Sequence, residues 1–77
     1  MQKQQIISIT DKSKLEINLV DAILIFDDDY LKIQTETGVI EATGNGLKVE
    51  SLIKETGQIT VIGDISGVGF IEKKKRK

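Results

Sequence analysis

Three adjacent carboxylates, Asp27-Asp28-Asp29, form the sharpest polar cluster in the chain, and carboxylate oxygens are the ligands that Ca²⁺ and Mg²⁺ prefer. Calcium loops with a readable signature place their acidic residues at alternate positions and add a glycine and a distal glutamate. No such frame follows Asp29. We therefore interpret the cluster as a solvated turn. The alternative is a small ligand-binding β-domain that takes a metal or a cell-wall oligosaccharide at this position.

Nucleophilic and acid–base chemistry lack their usual residues. The chain has no histidine and no cysteine, so no imidazole base activates Ser8, Ser13, Ser51 or Ser66, and no thiolate is present. Twelve acidic residues are spread along the chain and single out no catalytic pair. We predict that the protein is not an enzyme, with no catalytic residue, no cofactor and no metal.

A glycine-rich stretch, Gly63-Asp64-Ile65-Ser66-Gly67-Val68-Gly69, superficially resembles a phosphate-binding loop. Such loops run into a helix whose N-terminus faces the phosphate, and their glycines follow a fixed spacing. Neither condition is met, because no helical pattern follows and the spacing differs. Turns and β-bulges are the predicted role of these glycines.

The chain closes with five cations, Lys73, Lys74, Lys75, Arg76 and Lys77, whereas the first 72 residues carry a formal charge of −6. A solvated tail is the simplest interpretation. The functional alternative is weak contact with an anionic membrane surface, to which each cation contributes on the order of 1 kcal/mol. No aromatic residues are interleaved with the cations, so we expect no specific nucleic-acid partner.

The elements that would position these residues are strands. Thirteen isoleucines and five valines favour extended backbone, and apolar residues alternate with polar ones between turn signals. From a first strand at Gln5 to Ile9 to a last one at Val68 to Glu72, the pattern predicts about eight short strands. Ala22 to Phe26 is apolar on both faces, so we expect it at the centre of the core.

Turn residues separate the predicted strands. Thr37-Gly38 and Lys54 to Gly57 are predicted hairpin turns, and Gly44-Asn45-Gly46 accepts the positive φ of a primed turn. Gly63 to Gly67 leads into the last strand. Neighbouring strands are then expected to pair antiparallel as a meander.

A leucine-headed tripeptide returns every sixteen residues, as Leu15-Glu16-Ile17, Leu31-Lys32-Ile33 and Leu47-Lys48-Val49. A fixed short period predicts strand-turn-strand repeats. We predict a single all-β domain over residues 1–72, a small antiparallel meander, followed by a basic C-terminal tail over residues 73–77. The period does not choose between a sandwich, a barrel and a short β-solenoid.

Strand edges are the remaining lead to function. A domain of 77 residues has a thin core, and this chain has no disulfide to staple it and no proline to guard its edges. Addition of a strand from another chain would pair the exposed backbone groups, so we expect a homo-oligomer or polymer. Lysines at Lys3, Lys12, Lys14 and Lys73 would instead protect the edges.

The order of turns carries a resemblance to a known family. Phe26-Asp27, the hairpin Glu36-Thr37-Gly38, Gly44 followed by Leu47, and Gly63-Asp64-Ile65 come in the succession that is similar to the YabP/YqfC sporulation proteins of endospore-forming Firmicutes. The resemblance extends over roughly Lys14 to Ile71. Typical members are longer at the N-terminus, and the basic tail is not part of the family pattern.

The resemblance implies a non-enzymatic sporulation protein with a structural or scaffolding role in spore envelope assembly. It also implies a cytoplasmic location in the mother cell, peripheral at the forespore membrane, and a sporulation membrane protein as partner. No catalytic or cofactor-binding residue carries over from the family. An adaptor that contacts the membrane surface through Lys73 to Lys77 is the alternative mode of action.

Overall fold

The computed structural model describes residues 4–72; Lys3 and the basic tail, Lys73 to Lys77, lie outside the described residues. Residues 4–72 contain no helix that is long and apolar enough to span a membrane. The all-β prediction is confirmed. Six strands form within residues 4–72, and their bounds are β1 Ile7–Thr10, β2 Lys14–Ile17, β3 Val20–Phe26, β4 Tyr30–Thr35, β5 Gly38–Ile53 and β6 Gln58–Glu72.

The strands form one open antiparallel sheet in the order β1-β2-β6-β5-β4-β3. Four of the five pairings join consecutive strands, as a meander predicts. The fifth joins β2 to β6, with Leu15 opposite Val61. This long-range pairing joins the β1–β2 hairpin to the other four strands, and it leaves β1 and β3 at the two ends of the sheet.

Six strands form instead of about eight because two predicted turns are bends within longer strands. β5 and β6 remain paired on both sides of Gly44 to Gly46 and of Gly63, where the register shifts. The strands approach closely here: a Cβ on Gly44 would lie 2.0 Å from the Asp64 carbonyl oxygen, and Gly63 has a φ of 140°. Glycine therefore lets the paired strands bend together. The predicted turns at Thr37-Gly38 and before Gln58 are confirmed.

The bend divides the sheet into two halves. The β3–β4 half comprises β3, β4, residues 38–43 of β5 and residues 67–72 of β6. The β1–β2 half comprises β1, β2, residues 58–62 of β6 and residues 48–53 of β5. Because the buried side chains of both halves form one cluster, the halves pack face to face. The cluster is Leu15, Ile17, Leu31, Ile33, Ile40, Ala42, Leu47, Ile59, Val61 and Ile65.

Two of the three units of the sixteen-residue repeat occupy equivalent structural positions, whereas the third, Leu47-Lys48-Val49, lies within β5 after its bend. Leu15 and Ile17 lie in β2, Leu31 and Ile33 lie in β4, and all four side chains are buried in equivalent inner strands of the two halves. The turn that precedes each of these strands bonds to the bend of a long strand. The four backbone bonds are Gly44 N to Asp29 O (3.1 Å), Leu47 N to Asp28 O (2.8 Å), Gly63 N to Ser13 O (3.1 Å) and Ile65 N to Lys12 O (2.8 Å).

The prediction that Ala22 to Phe26 is the centre of the core is wrong. The segment is most of β3, which among residues 4–72 has a neighbour on one side only and whose side chains from Asp21 to Phe26 are exposed. β2 and β4 take the central positions, since their alternating side chains place one apolar row inward and one polar row outward. A strand that is apolar on both faces lies here at an uncovered edge of the sheet.

Candidate functional site: the free strand edges

Inner-face side chains line up in rows across each half, because directly opposed residues of antiparallel strands share a face. Each row takes one residue from each of four strands. The β3–β4 half has two rows: the first is Ile23, Ile33, Ile40 and Phe70, and the second is Phe26, Leu31, Ala42 and Val68. The β1–β2 half also has two: the first is Ile7, Ile17, Ile59 and Leu52, and the second is Ile9, Leu15, Val61 and Val49.

The middle of each row is covered and its ends are not. Ile33 and Ile40 are 1% and 0% exposed, whereas Ile23 and Phe70 at the ends of the same row are 37% and 41% exposed. The apolar inner surface is thus wider than the opposite half can cover. Each half of the domain ends in an apolar rim.

Backbone hydrogen bonding is incomplete along the same rims. Among residues 4–72, residues 67–72 of β6 and residues 48–53 of β5 pair on one side only, as do β1 and β3. This described part of the chain therefore has four free edges, and such edges are templates for a further strand. The large apolar residues exposed on or beside them are Ile6, Ile9, Ile23, Leu24, Ile25, Phe26, Leu52, Ile53, Phe70 and Ile71.

The aspartate cluster is a turn, as predicted. It joins β3 to β4, its three side chains are exposed, and the Asp27 amide donates to the Tyr30 carbonyl at 2.7 Å. The carbonyls of Asp28 and Asp29 accept bonds from the β5 bend. Within residues 4–72 no group of three or more carboxylates has the geometry of a metal site. The turn contributes backbone carbonyls to the fold.

The outer face of the β3–β4 half carries a small polar group. The Lys32 ammonium lies 3.9 Å from a Glu41 carboxylate oxygen. Desolvation, together with the charge of Glu41 and a hydrogen bond to it, raises the pKa of Tyr30 above 10.0. An exposed ion pair of this kind contributes little to stability. These residues keep the outer face solvated, so the apolar contacts of this half concentrate at its edges.

Two grooves lie at the start of β3. One, of about 320 Å³, is apolar and brings Ala22 and Ile23 of β3 beside Leu52 of β5. The other, of about 440 Å³, is lined by three carboxylates, those of Asp21, Glu36 and Glu55, together with a single cation, Lys54. The apolar edge of β3 therefore begins beside an acidic surface.

A polar network holds the start of β1 in place. Asn18 accepts the Ile6 amide on Oδ1 at 2.6 Å and donates through Nδ2 to the Gln4 carbonyl at 2.8 Å. Gln5 joins this residue to the turn between β4 and β5, because Gln5 Oε1 accepts the Thr37 hydroxyl at 2.7 Å. Every group in the network has a bonding partner within the chain, so its role is structural.

The residues singled out in the sequence do not converge on one site. Gly63 to Gly69 lie within β6, where no helix follows them in the described part of the chain. The tail, Lys73 to Lys77, lies outside the described residues. Sequence reasoning placed β3 at the centre of the core instead of at an edge, and it did not identify the apolar residues on the free edge of β6. The sequence signal for the β3 edge was the segment Ala22 to Phe26, which is apolar on both faces. In the structure these side chains are exposed.

Comparison with known proteins gives one finding on identity. A sequence model of the YabP family matches residues 1–77, which includes all six strands and the four free edges. The match confirms the resemblance that the order of turns carries. No curated protein matches the chain.

Proposed function

The chain belongs to the YabP family, and from that premise we propose that it is a non-enzymatic structural or scaffolding protein of sporulation. Family membership is consistent with a sporulation-related protein. In the proposed role the protein takes part in spore envelope assembly in the mother cell, at the forespore membrane. It acts by self-association or by docking on a sporulation membrane protein.

The observation that carries the proposal is the coincidence of unpaired backbone and exposed apolar side chains on the same four edges. Strand addition satisfies both at once, because it pairs the free N–H and C=O groups and covers the apolar rim. A surface that only needed to be soluble would place charge at these positions. Here the large exposed apolar residues include Ile9 on β1 and Ile6 just before it, four on β3 and two near the end of β6.

The expected strength of each contact is moderate. Full burial of an isoleucine or phenylalanine side chain contributes about 1.5–3 kcal/mol, and all the edge residues except Ile6 and Ile71 are already more than half buried. Three or four such residues then contribute a few kcal/mol before the cost of association is subtracted. Edges of this strength suit an assembly in which many copies act together, since multiple weak contacts add through effective concentration.

A genetic experiment with a biochemical companion tests the proposal. Cells that lack the gene should form defective spores, and a fluorescent fusion should collect at the forespore membrane. Sedimentation velocity of the purified full chain over a wide concentration range should show species larger than a monomer.

Normal spores in the deletion strain would overturn the sporulation role. A strictly monomeric protein that also fails to bind the membrane-protein fraction of sporulating cells would overturn the scaffolding mechanism.

A further inference from the structure

We propose that β6 of one copy pairs antiparallel with β3 of a second copy, so that the β3–β4 halves of successive copies form one continuous sheet. The inference rests on the proposed self-association and names its interface. The occupant of the β3 edge is thus a second copy of this chain, and the contact is made by two different surfaces.

Charge disfavours the simplest alternative, in which β3 pairs with β3 of another copy. An antiparallel pair centred on Leu24 would place Asp21 of each strand opposite Asp27 of the other, with Asp28 and Asp29 adjacent. Like charges directly opposite each other destabilise a strand pair. The β3 edge therefore carries acidic residues at both ends of its apolar stretch and favours a strand that is accompanied by cations.

The free edge of β6 is such a strand. Its exposed Phe70 and Ile71 are followed, after Glu72, by the five cations Lys73 to Lys77 in the sequence. In an antiparallel pairing the end of β6 meets the start of β3, where Asp21, Glu36 and Glu55 line the acidic groove. One pair beyond Ile71 the rows bring Glu72 opposite Val20 of the second copy, beside Asp21, and the five cations that come next in the sequence supply the charge that offsets this acidic approach.

The strand directions agree with this pairing. Within one β3–β4 half the four strands alternate in direction, so β3 and the last part of β6 run oppositely. Two copies placed side by side in the same orientation consequently present an antiparallel β6 and β3 to each other. The inner face of one copy therefore continues as the inner face of the next, and the apolar rims of the two inner faces meet.

The rows supply the register and matching side-chain volumes. Extending the inner rows places Phe70 opposite Ile23 of the next copy, and Val68 opposite Phe26. The Leu24 bulge in β3 provides the one-residue shift between these two pairs. Large apolar side chains therefore continue the core across the junction.

The outer face matches in the complementary way. There the extended rows place Ile71 opposite Ala22 of the next copy, and Gly69 opposite Ile25. A Cβ built on Gly69 would have no atom within 4 Å, so open space lies over this residue. A large residue faces a small one in both pairs, which lets the outer surfaces interdigitate.

The contact leaves one β3 edge and one β6 edge free at the two ends of any assembly. A head-to-tail contact of this kind generates an open filament unless its rotation closes a ring. The protein is then a one-dimensional polymer whose sheet grows by whole copies.

Complementation between two edge variants tests the interface. Ile25→Glu changes the β3 edge at the residue that pairs with Lys32 in the folded chain. Ile71→Glu changes a β6 residue that is the most exposed large apolar side chain among residues 4–72. Each variant should remain folded by circular dichroism. Each should raise the apparent dissociation constant of the full chain at least about thirtyfold in sedimentation velocity, the loss of a single interface hot spot.

Mixed in equal amounts, the two variants should form one-to-one dimers and no longer species, because each still carries the edge that the other lacks. The matched control is Ile53→Glu on the free edge of β5, which is 45% exposed and lies outside the junction. Its association should equal that of the unmodified chain.

The outcomes separate the interface from the proposed function. Association lost in Ile25→Glu alone identifies β3 self-pairing, and association lost in Ile71→Glu alone identifies β6 self-pairing; either result overturns the head-to-tail contact. Failure of the mixture to dimerise overturns it as well. An unmodified chain that is monomeric at every concentration overturns both this interface and the proposed self-association, whereas association that survives both substitutions overturns only the interface.

Discussion

Replacing Gly44 by alanine should cost a large part of the stability of the domain. A Cβ at this position would lie 2.0 Å from the Asp64 carbonyl oxygen and 3.0 Å from the Asp64 carbonyl carbon, both backbone atoms that no rotamer change can move. Ordinary van der Waals contact begins at 3.4 Å, so β5 and β6 must separate by more than 1 Å at the bend.

The bend offers no inexpensive way to separate. Moving β5 breaks its ladder with β6, and moving β6 strains the bonds that Gly63 and Ile65 donate to the turn before β2, at 3.1 and 2.8 Å. Each buried backbone group left without a partner costs about 1–3 kcal/mol. Two such losses give about 2–6 kcal/mol, against a total stability of about 4–12 kcal/mol for a chain of this length.

Urea unfolding followed by circular dichroism at low protein concentration measures the effect. Gly69→Ala is the matched control, because it adds the same methyl group to the same pair of strands at a position with open space and no positive φ. It should be neutral or should stabilise by about 0.5–1 kcal/mol, through a less flexible unfolded chain. If Gly44→Ala unfolds within 1 kcal/mol of Gly69→Ala, the close approach of the strands does not govern this bend.

Four further outcomes are expected. Ile33→Ala, at the buried middle of an inner row, should lower the unfolding free energy by about 2–5 kcal/mol, whereas Ile71→Ala should lower it by less than about 1 kcal/mol. Equal losses would contradict the difference in burial between the middle of the sheet and its edge. Asn18→Ala should cost about 0.5–1.5 kcal/mol in urea unfolding, since it removes the side-chain acceptor of the exposed Ile6 amide, which can then bond to water. Added Ca²⁺ should shift the thermal midpoint neither of the unmodified chain nor of a variant in which Asp27 to Asp29 are asparagine, because the turn bonds through its backbone carbonyls. A calcium-dependent shift in the unmodified chain alone would support the metal-binding alternative. Deleting Lys73 to Lys77 should abolish any low-salt binding to vesicles that contain anionic lipid, and binding that persists after the deletion would assign membrane contact to another surface.

Local pattern was sufficient to predict the strands that lie in the middle of each half. β2 and β4 alternate apolar and polar residues, and this alternation fixes which face is buried whichever strands become neighbours. The aspartate turn and the hairpin at Thr37-Gly38 were also predictable, because their residue types favour turns in any context. Fold class and antiparallel pairing follow from these features.

Strand number and edge position depend on contacts between distant residues. Gly44 and Gly63 have the residue type of a turn, but each permits two paired strands to approach and bend. The role is set by a distant partner, Asp64 for Gly44 and Gly46 for Gly63, 20 and 17 positions away. Ala22 to Phe26 shows the same limit for burial. Its apolar character on both faces is compatible with a buried strand or with an edge awaiting a partner, and a single chain contains no signal that distinguishes the two.

The pairing of β2 with β6 gives the folding of the domain a particular time order. Leu15 pairs with Val61, 46 positions later, so the β1–β2 half stays incomplete until β6 has left the ribosome. Sheets built on such distant pairs close a large loop before they gain contacts, and they fold in milliseconds to seconds. During synthesis the first hairpin therefore waits with its inner side chains uncovered, a window in which a chaperone or a neighbouring nascent chain competes with β6 for the same edge.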